Sequence, residues 1–135
     1  MELSAGDYAT CALRRDESVW CWGWNAERAL GDGTTLWRTT PAPVPNLMHV
    51  TQIHRVGETT CVVLTDGSVR CWGGNQFGTV GDGSYETRLS PVSVLGAEPA
   101  LAIAMGQYHT CVALADGTAR CWGDNSQGQL GDGKL

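Results

Sequence analysis

The 135-residue sequence predicts an all-β fold built from roughly fifty-residue repeats, and two observations carry that reading. The first is a strict register. Cys11, Cys61 and Cys111 lie fifty residues apart, as do Cys21, Cys71 and Cys121. Trp22, Trp72 and Trp122 keep this offset, and so do Gly23, Gly73 and Gly123, and Asn25, Asn75 and Asn125. Gly-Asp-Gly turns at 31–33, 81–83 and 131–133 close each set. A period of this length belongs to blade or solenoid architectures. The second is that each unit reads as strands: eighteen glycines, five prolines and no long apolar periodicity favour many short strands with tight turns.

The best-defined element is a hairpin. Cys61-Val62-Val63-Leu64 and Ser68-Val69-Arg70-Cys71-Trp72 are β-prone runs joined by Thr65-Asp66-Gly67. Gly67 supplies the positive φ that a three-residue loop with a bulge requires. That loop length sets Leu64 opposite Ser68, Val63 opposite Val69 and Cys61 opposite Cys71. Bonded and non-bonded pairs alternate outward from the loop, so the cysteines fall on a non-hydrogen-bonded pair, where side chains lie closest. Three local disulfides formed in an oxidising compartment are the expectation for Cys11–Cys21, Cys61–Cys71 and Cys111–Cys121. The competing readings are cysteine as a small buried hydrophobe and zinc. Zinc is disfavoured because cysteines two to four residues apart are absent.

Repeat one, 1–50, departs most from the pattern. Glu17 stands where Gly67 and Gly117 sit, Arg28 replaces Gly78 and Gly128, and Trp24 replaces Gly74 and Asp124. Its hairpin loop therefore reads as degraded, as end repeats often are. A polar tract, Thr34 to Thr40, leads to Pro41–Pro45, an expected edge strand because proline cannot donate to a central ladder. Repeat two, 51–100, repeats that segment at Ser90–Val94. Gly57 lies one place off Gly6 and Gly106, which predicts an altered entry turn. Leu47–His54 and Leu95–Met105 read as connectors. Repeat three, 101–135, stops after its Gly-Asp-Gly and is incomplete.

The net charge of −5 and the lack of any Lys/Arg cluster argue against nucleic acid as a partner. No apolar run approaches eighteen residues, so no membrane span is expected. Met1-Glu-Leu-Ser lacks the features of a secretory signal, which places any signal outside this chain. No serine or cysteine has the context of an activated nucleophile, and no glycine-rich phosphate loop follows a strand. A non-enzymatic protein with no cofactor is the expectation.

At Gly106, His109, Thr110, Asp116, Gly117, Trp122, Gly123, Asn125, Gly128, Leu130 and Gly131 the sequence resembles the regulator of chromosome condensation repeat family. Repeat two matches at Asp66, Gly67, Trp72, Gly73, Asn75, Gly78 and Gly81, and repeat one at Trp22, Gly23, Asn25, Leu30 and Gly31. The cysteine pair resembles the bacterial, extracytoplasmic branch. The resemblance implies a seven-bladed β-propeller of four-stranded blades. Seven such units need about 350 residues, so the three blades here imply a partial propeller or a ring closed between copies, with self-association through open blade faces.

The candidate sites follow from what repeats and what does not. Trp22, Trp72 and Trp122 are expected between blades rather than on a ligand platform, and Asn25, Asn75 and Asn125 in turns as backbone-bonding amides. Asp82 and Asp132 each stand alone between glycines, too few donors for a calcium loop. His109 precedes a strand, where a structural hydrogen bond is expected. Arginines and non-repeated aromatics on loops suit a protein interface, so Trp37, Arg38, Tyr85 and Arg88, on 34–40 and 84–90, are the candidate recognition residues. The function expected is a protein-binding module of an exported or cell-surface bacterial protein. The alternatives are guanine-nucleotide exchange with chromatin attachment, as the eukaryotic members imply, and an enzyme-inhibitor propeller.

Overall fold

The computed structural model describes residues 1–135 as three antiparallel sheets with no helix. The first contains β1 (Glu2–Ala5), β2 (Ala9–Leu13), β3 (Val19–Gly23) and β4 (Arg38–Pro43) in that order. The second contains β5 (Val50–Val56), β6 (Thr59–Leu64), β7 (Val69–Gly73) and β8 (Arg88–Ser93), and the third β9 (Ala100–Met105), β10 (His109–Leu114) and β11 (Ala119–Gly123). Each sheet is a meander. The first strands β1, β5 and β9 pack side by side, and successive sheets stack face to face as the blades of an open, partial propeller. The proline-bearing β4 and β8 are edge strands, where a missing N–H is harmless.

The hairpin register is the one the Asp-Gly loop dictates: Val63 pairs with Val69 and Cys61 with Cys71, and the other two blades repeat it. Cys11–Cys21, Cys61–Cys71 and Cys111–Cys121 are disulfide-bonded, and no cysteine is free. Period-two alternation then divides each blade into two faces. Cys11, Leu13, Val19 and Cys21 look toward blade two, where Val50, Ile53, Val62 and Trp72 complete one core. Cys61, Val63, Val69 and Cys71 do the same against Ala100, Ile103, Val112 and Leu114. The first two disulfides therefore lie on the face their blade turns toward the next, and Cys111–Cys121 takes the equivalent position in blade three.

Three local expectations change. The stretches read as connectors contain most of β5 and all of β9, the first strands of their blades. Polar residues (Gln52, His54, Arg55) and alanines dilute the apolar alternation there, and a bulge interrupts each. The first hairpin loop is not degraded. Glu17 adopts φ 64° and keeps both loop bonds, its amide to the Arg14 carbonyl and the Arg14 amide to the Ser18 carbonyl. Arg28 likewise holds φ 60° where the other repeats carry glycine. The entry turn of blade two is indeed altered: Val56 pairs directly with Thr59 across a two-residue Gly57-Glu58 turn, whereas Ala5 and Thr10 flank four residues. Gly57 supplies the positive φ, 55°, at the first turn position.

Candidate functional site

The loop between the third and fourth strands is built around its Gly-Asp-Gly turn. In blade one the Asn25 side-chain amide donates to the Thr34 carbonyl at 2.9 Å and to Asp32 Oδ1, while Asn25 Oδ1 accepts from the Leu30 amide. Asp32 Oδ1 also accepts from the Thr34 amide and hydroxyl, and Asp32 Oδ2 from Arg38 Nε at 2.6 Å. Blade two repeats the knot with Asn75, Asp82, Ser84 and Arg88. In blade three Asn125, Asp132 and the Lys134 backbone retain part of it. The repeated asparagine thus staples the turn, and the aspartate between glycines serves as its acceptor hub.

Both aspartate side chains are nearly buried, 4% and 7% exposed. Burial by itself would raise their pKa. The hydrogen bonds and charge of Arg38 and Thr34, or of Ser84 and Arg88, outweigh it and hold both carboxyls below the usual range. Arg38 and Arg88 open β4 and β8, so they clamp the loop to its edge strand. Between hub and clamp the chain exposes apolar side chains: Leu36 and Trp37 are 71% and 70% exposed, and Tyr85 is 75% exposed.

The repeated tryptophans lock one blade to the preceding one. Trp72 is fully buried and its indole N–H donates to the Ala29 carbonyl at 2.9 Å. Trp122 donates to the Thr79 carbonyl at 2.8 Å. Each indole lies against a glycine of the neighbouring turn. A Cβ at Gly31 would stand 2.7 Å from Trp72 Nε1, and one at Gly81 would stand 2.5 Å from Trp122 Nε1. Trp22 belongs to the first of the three blades described and makes no such bond. It lines an open cleft of about 730 Å³ with Tyr8, Trp24, Trp37 and Arg38, and Tyr8 and Trp24 meet edge to face.

One further cluster escaped the sequence reading. Arg55 is buried in β5, bonded to the Ala29 and Gly57 carbonyls and the Thr60 hydroxyl, and burial lowers its pKa to about 10. Nearby Glu58 is raised by burial and then by the Glu27 and Asp7 charges. Neither residue recurs at the fifty-residue offset, and the Asp7 and Glu27 charges beside them come from the preceding blade, so no local pattern announced them. His109 proves to be a packing residue: its ring covers Gly106 so closely that a Cβ there would lie within 3 Å of its Cε1, Nδ1 and Nε2.

A family model described as the regulator of chromosome condensation (RCC1) repeat matches residues 16–64 and 66–113. A second model of the same description matches 2–28 and 101–129. No curated protein sequence matches the chain. Among solved structures it is similar to human WBSCR16, with 20% identity over 91% of this chain and 32% of that one and a TM-score of 0.82. It is similar to yeast RCC1 (Prp20) in its complex with Kap60, at 23% identity, 100% and 34% coverage and a TM-score of 0.82. The ectodomain of the Physcomitrella patens receptor kinase CR4 aligns at 23% identity, 92% and 30% coverage and a TM-score of 0.58. The chain spans about a third of the length of each of these structures, and at such identity the likeness is one of fold. With repeat models matching most of its length, the chain belongs to the regulator of chromosome condensation repeat family.

Proposed function

We propose that the chain is a non-enzymatic protein-binding module of an exported bacterial protein, with blade units at 1–50, 51–100 and 101–135. Its partner engages the loops 34–40 and 84–90. One observation carries this reading: Leu36, Trp37 and Tyr85 are exposed on loops whose backbones are pinned by the Asp32–Arg38 and Asp82–Arg88 clamps. Large rigid side chains on a pre-organised loop lose little entropy on docking, and aromatic residues dominate interface energetics. Trp37 and Tyr85 then contact the partner, while Arg38 and Arg88 hold the loops, Arg88 also through Ser84 and Glu86. Yeast RCC1 (Prp20), which shares this fold, is an instance of a protein with a bound protein partner, Kap60. Three disulfides and the occurrence of the fold in a receptor ectodomain support an oxidising, extracytoplasmic setting.

The test is quantitative capture of partners from the source cells with the wild-type chain and with the Trp37→Ala/Tyr85→Ala double variant. Loss of a reproducibly enriched protein with an unchanged melting curve supports the loops as the contact. Undiminished capture by the variant refutes the assignment. A thiol titration of the protein as secreted from its host checks the setting: no free thiols are expected, and six would overturn it.

A further inference from the structure

The junction of blades one and two and that of blades two and three solve one packing problem with opposite chemistry. In both, a carbonyl just before the Gly-Asp-Gly turn is capped by donors from the following blade. The Thr79 carbonyl accepts from the Thr110 hydroxyl and the Trp122 indole. The Ala29 carbonyl accepts from the Trp72 indole and, in place of a hydroxyl, from Arg55 Nη1. The fifty-residue offset relates Glu27 to Phe77, Arg55 to Met105 and Glu58 to Tyr108. At the second junction these positions are uncharged: the Phe77 and Tyr108 rings meet with centroids 4.5 Å apart, and Met105 packs against the core. At the first junction all three are ionisable.

Asp7, Glu27, Arg55 and Glu58 line one narrow cleft of about 30 Å³ between blades one and two, beside Tyr8 and Trp24. Asp7 and Glu27 come from blade one, Arg55 and Glu58 from blade two. The Arg55 guanidinium is spent on the Ala29 and Gly57 carbonyls and the Thr60 hydroxyl. None of the three carboxylates makes an ion pair. On its other side Glu58 shares a second cleft with Asp7, Gln76, Gln107 and Tyr108, which bring no cation. Two carboxylates of one blade thus face one of the next with a single cation among them, and like charges repel across the joint. Burial, then the Glu27 and Asp7 charges, raise Glu58 above its ordinary value against the pull of Arg55. A carboxyl whose folded pKa exceeds its unfolded value stabilises the packed state as pH falls from neutral toward about 4.3.

We propose that the junction of blades one and two is a pH-responsive joint, loosened at neutral pH by repulsion among Asp7, Glu27 and Glu58 and drawn tighter on mild acidification, while the junction of blades two and three does not respond. The joint bears on the loops that flank it. The Gly33 amide donates to the Leu89 carbonyl at 3.0 Å across this junction, and so ties the base of loop 34–40 to loop 84–90. Tightening fixes the two loops relative to one another before a partner arrives, which lowers the ordering cost of binding. That consequence rests on the loops being the contact; the joint itself does not.

The test is amide hydrogen exchange of the oxidised full chain, with no partner present, at about pH 7.5 and about pH 5, corrected for the intrinsic pH dependence of exchange. The Gly33 amide reports the first junction. The Ala100 amide, which donates to the Gly67 carbonyl at 2.8 Å across the second, is the control. Wild type is expected to gain about threefold or more in Gly33 protection on acidification, with Ala100 unchanged. Glu58→Gln keeps the size and removes the charge, so it should show the higher Gly33 protection at both pH values. Ala100 protection equal to wild type shows that the variant is folded. Gly33 protection that does not rise in wild type overturns the proposal. So does a rise shared equally by Ala100, and so does one that persists in Glu58→Gln. Failure here leaves the loop assignment standing, and failure of the Trp37→Ala/Tyr85→Ala test leaves the joint standing.

Discussion

Three tryptophans at equivalent positions should respond very differently to one substitution. Trp72→Ala removes a fully buried side chain whose N–H bonds the Ala29 carbonyl. Burying a tryptophan takes about 150–250 Å² out of water, which at about 25 cal/mol per Å² corresponds to about 4–6 kcal/mol. Large-to-alanine replacements in cores cost about 3–5 kcal/mol. The orphaning penalty is small here, because the Ala29 carbonyl keeps Arg55 Nη1 as a second donor. We therefore expect a loss of about 4 kcal/mol for Trp72→Ala. Trp122 makes the same bond but is only partly buried, so its loss should be about 2–3 kcal/mol. Trp22 is also only partly buried and its N–H bonds no neighbouring blade, so Trp22→Ala should cost less than Trp122→Ala, about 1–2 kcal/mol. Urea unfolding with disulfides intact reads these differences. Equal losses at the three sites would refute the reasoning. They would mean that each tryptophan supports its own blade and not the junction.

The remaining predictions concern backbone and charge. Gly81→Ala and Gly131→Ala both force alanine into positive φ, but only at Gly81 would the new Cβ strike an indole; Gly81→Ala should be the more damaging by about 2 kcal/mol in urea unfolding. Glu17→Gly relieves a left-handed residue worth about 1–2 kcal/mol. Part of that gain is offset by the greater unfolded-state freedom of glycine, so a net rise of about 0.5 kcal/mol, read as a small increase in Tm, is expected. The exposed His49–Glu17 pair lost in the exchange contributes little. Asp32 and Asp82 have folded pKa values below their unfolded ones. Their stabilisation is fully present above about pH 4 and is lost as pH falls through the folded values. Unfolding midpoints measured from pH 6 to pH 2 should drop on this limb, and Arg38→Met/Arg88→Met should flatten it.

What the sequence determined by itself is whatever the fifty-residue register and local chain geometry dictate. The Asp66-Gly67 loop decides which residue faces which across the hairpin, and so brings Cys61 and Cys71 together before any tertiary contact exists. The prolines of β4 and β8 mark edges for an equally local reason. Even the departures were visible as residues, although their outcome was not: Glu17 and Arg28 keep the glycine conformation because two hydrogen-bonded strands or a stapled turn hold them there. The tertiary structure alone decided the rest. Arg38 and Arg88 looked like free loop cations, but folding six residues of turn back on themselves spends them on Asp32 and Asp82. Arg55 and Glu58 meet Asp7 and Glu27 only because adjacent blades stack. The three tryptophans stand at equivalent repeat positions, yet Trp72 is fully buried, Trp122 is half-buried with its N–H bonded across the junction, and Trp22 is half-buried without such a bond. That difference comes from a neighbouring blade's surface, and a residue's own sequence neighbours carry no record of it.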